Sequence, residues 1–392
     1  MPIASGLTST RIPVHPQPLP DELLTHWFLR LAHSNQLKVQ TFADYTFGRY
    51  SSFWARDQDK LASPAVISKL AELTGLGAEK IRSLTLATYE GNLYRDHNPF
   101  GNTRWILPLG VYHRTRRLYG IQYCPLCLAE DPVPYFRRRW RLAFSTICDK
   151  HGTMMHDRCY RCGAPVAYFR SDLGHRKRHN FGPSTTCDQC GADLVRAPAY
   201  DAPGPDGQTL LMLRSLALGA DIGWWWVDSK LLGYAHLFFD VLHHLAVRMT
   251  YGAGLRLLSE VERQTGRVVV CGRKPDRGML EVRPLMQRHD LVLAALWLLQ
   301  EWPTRFVETC RQARLWQSWL LCGRQFPWWF EQAVKSSLDQ AIYEPNIEEA
   351  QHAAEYLTRQ GKRASTQAVA RLLGGRDHLA ARQFAGGKHK PP

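Results

Sequence analysis

The stretch TICDKHGTMMHDRCYRCG, residues 146–163, sets two ligand pairs side by side: Cys148 with His151, and Cys159 with Cys162. Two residues separate the members of each pair, a spacing that lets one turn aim both at a single ion. Their partners flank them. Cys124-Pro-Leu-Cys127 lies upstream and Cys187-Asp-Gln-Cys190 downstream. Cys124, Cys127, Cys148, His151, Cys159, Cys162, Cys187 and Cys190 thus form two sets of four with none left over, which suits two structural Zn2+ ions in closed tetrahedral sites. Gly152, Gly163 and Gly191 follow the second ligand of three pairs, where a knuckle turn calls for positive φ.

Two pairings satisfy this pattern. Sequential pairing joins the first two pairs and then the last two. Cross-bracing, in which alternate pairs share an ion, would resemble the RING finger of a ubiquitin ligase. The shared C-x-x-C-G form of 159–163 and 187–191 favours sequential ribbons, as does the seven-residue gap after His151. Four protein ligands per ion leave no open position for a reacting water, so the metal is expected to fold the chain and not to catalyse. A deaminase signature is absent, because Pro125 follows Cys124 instead of preceding it. No phosphate-binding Gly-rich loop or nucleophile–base pairing stands out, and the chain reads as a non-enzyme. Residues 119–196 are poor in apolar side chains. Metal binding on the order of 10 kcal/mol would stabilise such a module.

The charge points to the partner. The 392 residues carry 50 Lys+Arg against 35 Asp+Glu, a net +15, and 45% are apolar. Residues 101–200 hold 16 Lys+Arg and 7 Asp+Glu, so +9 of the excess falls in that quarter. Seven thiolates and two Zn2+ would leave about +12. An excess of this size suits nucleic acid. Three basic runs are the candidate phosphate contacts: Arg114, Arg116 and Arg117; Arg137, Arg138, Arg139 and Arg141 within YFRRRWRLAF (135–144); and Arg176, Lys177 and Arg178 within HRKRH (175–179). The plainer reading of these arginines is a solvated or protein-facing surface. That of Trp140 and Phe144 is packing beneath the ribbon.

Around this module the chain reads as helical. PDELLTHWFLRLAHSN (20–35) begins a helix, with Pro20 and Asp21 supplying start chemistry and Leu24, Trp27, Phe28 and Leu31 a buried face. Residues 64–86 resemble a helix-turn-helix. Ala71 is small at the crossing, Gly75 makes the turn, and Leu70, Ile81 and Leu84 face the shared core. Glu79, Lys80, Arg82 and Ser83 would lie along the outer surface, with Lys80 and Arg82 as candidate DNA contacts. The bland alternative is an ordinary helical hairpin.

RAPAYDAPGPDGQ, ending the module, marks a linker over 197–208. Helical stretches are expected at 209–219, 229–249, 286–300, 304–322 and 328–342, a strand at 267–272, and a looser second helix-turn-helix at 365–384 around Ala370 and Gly374. Trp224, Trp225 and Trp226 cannot share one face of a helix, so they belong to an interface or to a bend in the core. The expected fold is mainly α with a little β. An N-terminal helix-turn-helix domain (1–118) leads to a tandem zinc-ribbon module (119–196), the linker, and a helical C-terminal domain (209–392). The longest apolar run, 291–299, is too short for the ~20 residues of a membrane span. Paired cysteines without an apolar leader suggest a reducing, cytoplasmic setting.

Taken in order, these segments resemble the TniQ/TnsD family of transposon target-selection proteins. Pro20, Glu22, Trp27, Arg30, Leu31 and Ala32 match its opening motif, with His26 where the family usually has Ser. Tyr123 to Cys127, Arg137 to Trp140 and Cys148 to His151 match its YCP-x-C, Arg-x-x-Trp and C-x-x-H elements, and EWPTRF (301–306) looks like a later one. The resemblance covers about residues 13–195. It implies an adaptor that links target DNA, or a site-defining complex such as a CRISPR RNA-guided surveillance complex, to an AAA+ ATPase and a transposase. It further implies work near resolvase sites in some elements, frequent homodimers, and a bacterial, cytoplasmic setting at the nucleoid. The competing expectation is a stand-alone zinc-containing DNA-binding transcription regulator.

Overall fold

The computed structural model describes residues 11–49, 52–61, 63–112, 115–170, 182–226, 232–269, 278–339 and 345–374. The first helix, α1 (Leu24–Ser34), buries Leu24, Trp27, Phe28 and Leu31, as their helical spacing requires. Asp21 does not cap it. Asp21 stands at φ 58°, and its carboxylate forms ion pairs with Arg138 and Arg139 at 3.1 and 2.6 Å. The Leu23 N–H at the cap donates to the Phe136 carbonyl, 2.9 Å away. The helix start is therefore welded to the arginine-rich loop.

Next come α2 (Val39–Phe47), α3 (Gln58–Leu61), α4 (Pro64–Thr74) and α5 (Ala78–Arg82). Gly75 closes α4 at φ 72°, and its N–H donates to the Ala71 carbonyl. Leu70, Ile81 and Leu84 are buried together in the core. The helix after the turn has only five residues, a turn and a half. A short hairpin of β1 (Val111–Tyr112) and β2 (Thr115–Arg116) and the helix α6 (Pro125–Glu130) lead into the cysteine region.

The C-terminal half is α7 (Gly207–Ile222), the hairpin β3 (Trp224–Trp226) and β4 (Leu232–Tyr234), then α8 (Ala235–Arg248), α9 (Gly254–Thr265), α10 (Leu285–Leu299), α11 (Thr304–Gln312), α12 (Gln317–Leu321), α13 (Trp328–Leu338), α14 (Ile347–Arg359) and α15 (Thr366–Leu372). α10 is buried on every side from Arg288 to Leu299, with α7, α8, α9 and α11 packed around it. That is why it reads as an apolar run. The three tryptophans are a strand, not a bent helix. The stretch expected to be helical over 304–322 breaks between α11 and α12, where Arg314 adopts φ 53°. Helix α9 was not anticipated, although Leu257, Leu258 and Val261 give it a buried face. Residues 267–269 are irregular, and the remainder of the expected strand lies outside the described residues.

One buried core runs from Ile12 to Leu338. Helices α14 and α15 share a separate cluster of Ala350, Ala353, Leu357 and Val369. Of the second helix-turn-helix only α15 falls among the described residues. The Pro-rich stretch 197–208 is pinned along its length. His156 donates to the Pro198 carbonyl (2.8 Å), Thr153 bridges Asp201, and His289 donates to the Pro203 carbonyl (2.7 Å). The two halves are also tied by buried Arg288 of α10, which donates to the Ala143 carbonyl (2.7 Å) and to Gln122 (3.1 Å). Among the described residues no helix is long and apolar enough to cross a membrane.

Candidate metal centres and nucleic-acid interface

Three of the four ligand pairs are built alike. The N–H of Cys148, Cys159 and Cys187 each donates to the carbonyl five residues on (Thr153, Ala164 and Ala192), at 2.8 Å. The N–H of Gly152, Gly163 and Gly191 each donates back to the carbonyl of the cysteine four residues before it, at 2.8–2.9 Å. These glycines stand at φ 70–72°. No atom lies within 4 Å of a Cβ added at Gly163 or Gly191, so left-handed backbone, not space, selects glycine there. A β-bridge closes each knuckle: Ile147 with Met154, Arg158 with Pro165, Thr186 with Asp193. The remaining pair differs. Cys124 caps α6, Pro125 occupies its first turn, and Cys127 sits one turn in.

The pairs come together sequentially. Cys124, Cys127, Cys148 and His151 form one group, and Cys159, Cys162, Cys187 and Cys190 the other, with ligand atoms within 4.8 Å of one another. The interleaved arrangement of a RING finger is not what these groups form. In the first, the Cys127 and Cys148 sulfurs are 3.5 Å apart, and His151 Nδ1 lies 3.4–3.5 Å from all three sulfurs. In the second, Cys159–Cys190 and Cys162–Cys187 are 3.6 and 3.7 Å apart. Metal–sulfur bonds of about 2.3 Å in a tetrahedron separate sulfurs by about 3.8 Å, so both groups fit a tetrahedral ion. Without a cation, neighbouring Cys124 raises the Cys148 thiol to about 11, and burial raises Cys187 to about 12. A bound ion would hold these sulfurs as thiolates.

Glu130 completes the first centre from outside. It sits on α6, one turn after Cys127, and its carboxylate accepts from His151 Nε2 at 3.0 Å. That bond places the proton on Nε2 and turns Nδ1 toward the sulfurs. Glu130 escaped the sequence analysis. Its signal was there: three residues past a helical ligand it must share that ligand's face.

The basic runs behave differently. Arg141 was expected among the phosphate contacts, and the structure overturns that: its side chain is 0% exposed. Its guanidinium grips Asp57 at 3.2 and 2.7 Å, donates to the Leu107 carbonyl at 2.8 Å, and lies 3.5 Å from Asp59. Asp59 in turn accepts from the Thr25 N–H and hydroxyl, both at 2.8 Å. Arg141 therefore clamps the cysteine module to α1 and α3. Arg137 pairs with Asp131 (2.8 Å) and covers the Tyr135 and Trp140 rings. Arg138 pairs with Asp21, and Arg139 spans Asp21, Asp149 (2.5 Å) and Asp221 (3.4 Å). Asp131 and Asp149 are near in sequence, but Asp21, Asp57 and Asp221 come from distant segments, so the local sequence could not reveal them. Trp140 and Phe144 are buried beneath it.

Arg116 is partly buried, stacked 4.5 Å over Phe169. Arg117 is exposed above Tyr112, Lys80 is exposed, and Arg82 faces Glu90 at 3.5 Å. Arg114, Arg176, Lys177 and Arg178 lie outside the described residues. Helix α5 exposes Glu79 and Lys80, but at five residues it offers little helix to a groove.

The opening motif also finds its reason here. Glu22 is fully buried and accepts from His26 Nδ1 and Arg30, both at 2.7 Å. It bridges Arg137 through the backbone, while Arg138 N–H donates to the Asp21 carbonyl at 2.8 Å. The opening helix and the arginine loop are one unit, and the first knuckle follows directly from that loop.

The geometry defines a mainly helical protein with two four-ligand groups, each of which could hold a metal ion. Residues 13–155 match the family model for TniQ, so this part of the chain is similar to a TniQ domain. That match supports, in general terms, a transposition-associated role in target selection. A search of curated proteins finds no match to the chain.

Proposed function

We propose that this chain is a non-enzymatic adaptor for target-site selection in DNA transposition, carrying two structural Zn2+ ions. It links target DNA, or a site-defining complex, to the element's AAA+ ATPase and transposase, and acts in the cytoplasm at the nucleoid. The observation that supports this best is the construction of the TniQ domain. Its motif residues Glu22, Arg30 and Arg137–Trp140 are spent on locking helix to loop, and the two ligand groups present four protein ligands each. Such a body suits presenting surfaces to partners.

DNA contact falls to Lys80, Arg82 and Arg117, with Arg114, Arg176, Lys177 and Arg178. It acts on the phosphate backbone and is weakened by salt. The test has two arms on the zinc-loaded chain: anisotropy with a labelled duplex across a salt series, and capture of the ATPase and transposase from the same element. Binding in either arm is expected. Each Ala substitution at Lys80, Arg82 or Arg117 should lower the salt slope by about 0.9. Failure of both arms overturns the proposal. Capture of RNA-guided surveillance subunits in the second arm would assign targeting to RNA; direct duplex binding alone would assign it to this chain.

A further inference from the structure

A cavity of about 610 Å3 opens between the C-terminal half of α8 and the segment 322–327 that joins α12 to α13. Small-molecule sites are of this size. None of the expected metal or phosphate contacts lines it. Two guanidinium groups do, and neither has a carboxylate partner among the described residues. Arg248 donates to the Trp319 carbonyl (2.8 Å) and to the Tyr251 hydroxyl (3.0 Å), and its buried Nε has no acceptor among the described residues. The Arg324 side chain is exposed. Burial foremost, with the charges of Arg248 and Arg324, lowers the neighbouring His244 to about 4, so both cations act on one wall and the ring adds no charge at neutral pH. The His244 Nε2 is committed to the Leu320 carbonyl at 2.8 Å. The carboxylate in the lining, Asp240, is held by Arg104 at 2.8 Å. Glu281 and Glu331 accept from His243 and from the Phe326 N–H at 2.9 and 2.7 Å. Leu237, Val247 and Phe326 supply apolar wall.

We propose that this cavity binds a nucleotide, its phosphoryl group on Arg248 and Arg324 and its nucleoside against Leu237, Val247 and Phe326. Three observations carry the assignment. First, the charges match. A phosphate monoester brings about −1.5 to −2 at neutral pH, which two guanidinium groups balance and a single carboxylate does not. Second, the donors match. Arg248 keeps N–H groups that its present partners do not use, among them the buried Nε, and the planar fork of a guanidinium fits the oxygens of a phosphate. A buried donor without an acceptor is unfavourable, so a ligand that satisfies it is favoured. Third, the shape matches. Cations on one side and apolar wall on the other suit a ligand with an anionic end and an aromatic end. The volume corresponds to a width of about 8–9 Å, narrower than the ~12 Å major groove of a duplex, so the cavity admits a single nucleotide and not a double helix. A free nucleotide and the phosphorylated end of a single strand share this chemistry.

Isothermal titration of the zinc-loaded full chain with adenosine diphosphate tests this. Binding in the range of about 10–100 µM is expected. Arg324→Gln, at an exposed position, and Arg248→Gln should each weaken it about 10-fold or more. Zinc content and circular dichroism of each variant serve as fold controls. Inorganic phosphate should compete, and succinate at the same concentration should not. Cys322 lines the cavity with an exposed thiol, so adenosine diphosphate should slow its alkylation, read on that peptide by mass spectrometry. A short single strand separates the two sources. A 5′-phosphorylated strand that binds and protects Cys322 better than both its 5′-hydroxyl form and adenosine diphosphate assigns the site to a strand end; the reverse order assigns it to a free nucleotide. The proposal is overturned if neither ligand binds or protects Cys322 at about 1 mM. It is also overturned if zinc-loaded arginine variants bind as tightly as the native chain, or if succinate competes as well as phosphate. Duplex binding and capture of partner proteins are read in separate assays, so this site and the adaptor reading can fail independently.

Discussion

Arg141→Met should destabilise the protein strongly and leave DNA contact alone. The native guanidinium makes two bonds to Asp57 and one to the Leu107 carbonyl, and lies within 3.5 Å of Asp59. Methionine keeps the apolar stem and removes the charge. Burial works to raise the Asp57 carboxyl, but the charge and hydrogen bonds of Arg141 hold it below the ordinary range. Without Arg141 the neighbouring Asp57 and Asp59 carboxylates lose their closest cation and keep only the more distant Arg116 and the Thr25 hydrogen bonds. Removing one partner of a buried pair costs about 3–5 kcal/mol, which is a large share of the stability of an ordinary domain. Urea unfolding of the zinc-loaded chain measures it. Asp57→Asn in the same background should recover part of the loss, because it removes one stranded charge, and the double-mutant cycle gives the coupling. A loss below about 1 kcal/mol, with a drop of about 0.9 in the DNA salt slope, would refute the clamp and return Arg141 to the phosphate backbone.

Glu130→Gln keeps the size of the side chain but loses the carboxylate that orients His151. It is expected to weaken metal binding at the first centre by about 10–100-fold in competition with a chelator, with the second centre unchanged; equal loss at both would mean a general loosening. Stability should also fall as pH drops from 6.5. Burial lowers His244 to about 4 and depresses His26 and His289 as well, so the unfolded chain binds more protons below pH 6.5, and stability present above that value is lost toward pH 4. Asp59, raised to about 6 chiefly by burial, works in the opposite sense between 6 and 3.8 and offsets part of the loss. His244→Gln retains a donor for the Leu320 carbonyl and should flatten the slope between pH 6.5 and 5.5 by up to one proton; an unchanged slope would remove His244 from the account.

Much of the metal chemistry was legible because it is local. A C-x-x-C-G segment needs only its own backbone to fold: the glycine supplies left-handed φ, and the cysteine N–H reaches five residues along. The helical periodicity of Leu24, Trp27, Phe28 and Leu31 is likewise local, and so is the turn at Gly75. The roles of the arginines were not legible. YFRRRWRLAF looks like a phosphate-binding strip until Asp21, Asp57, Asp131, Asp149 and Asp221 are brought against it, all but Asp131 and Asp149 from far along the chain. The adjacent tryptophans were ambiguous for a related reason. Whether Trp224 and Trp226 face solvent depends on where Trp225 finds Gly219 and Phe238.

Spacing along the chain thus decided which side chains can hold a metal and where glycine must stand, because those are properties of single turns. Tertiary structure decided which charges remain available to a partner, because the field at a guanidinium depends on every carboxylate within a few ångströms, whatever its distance in sequence.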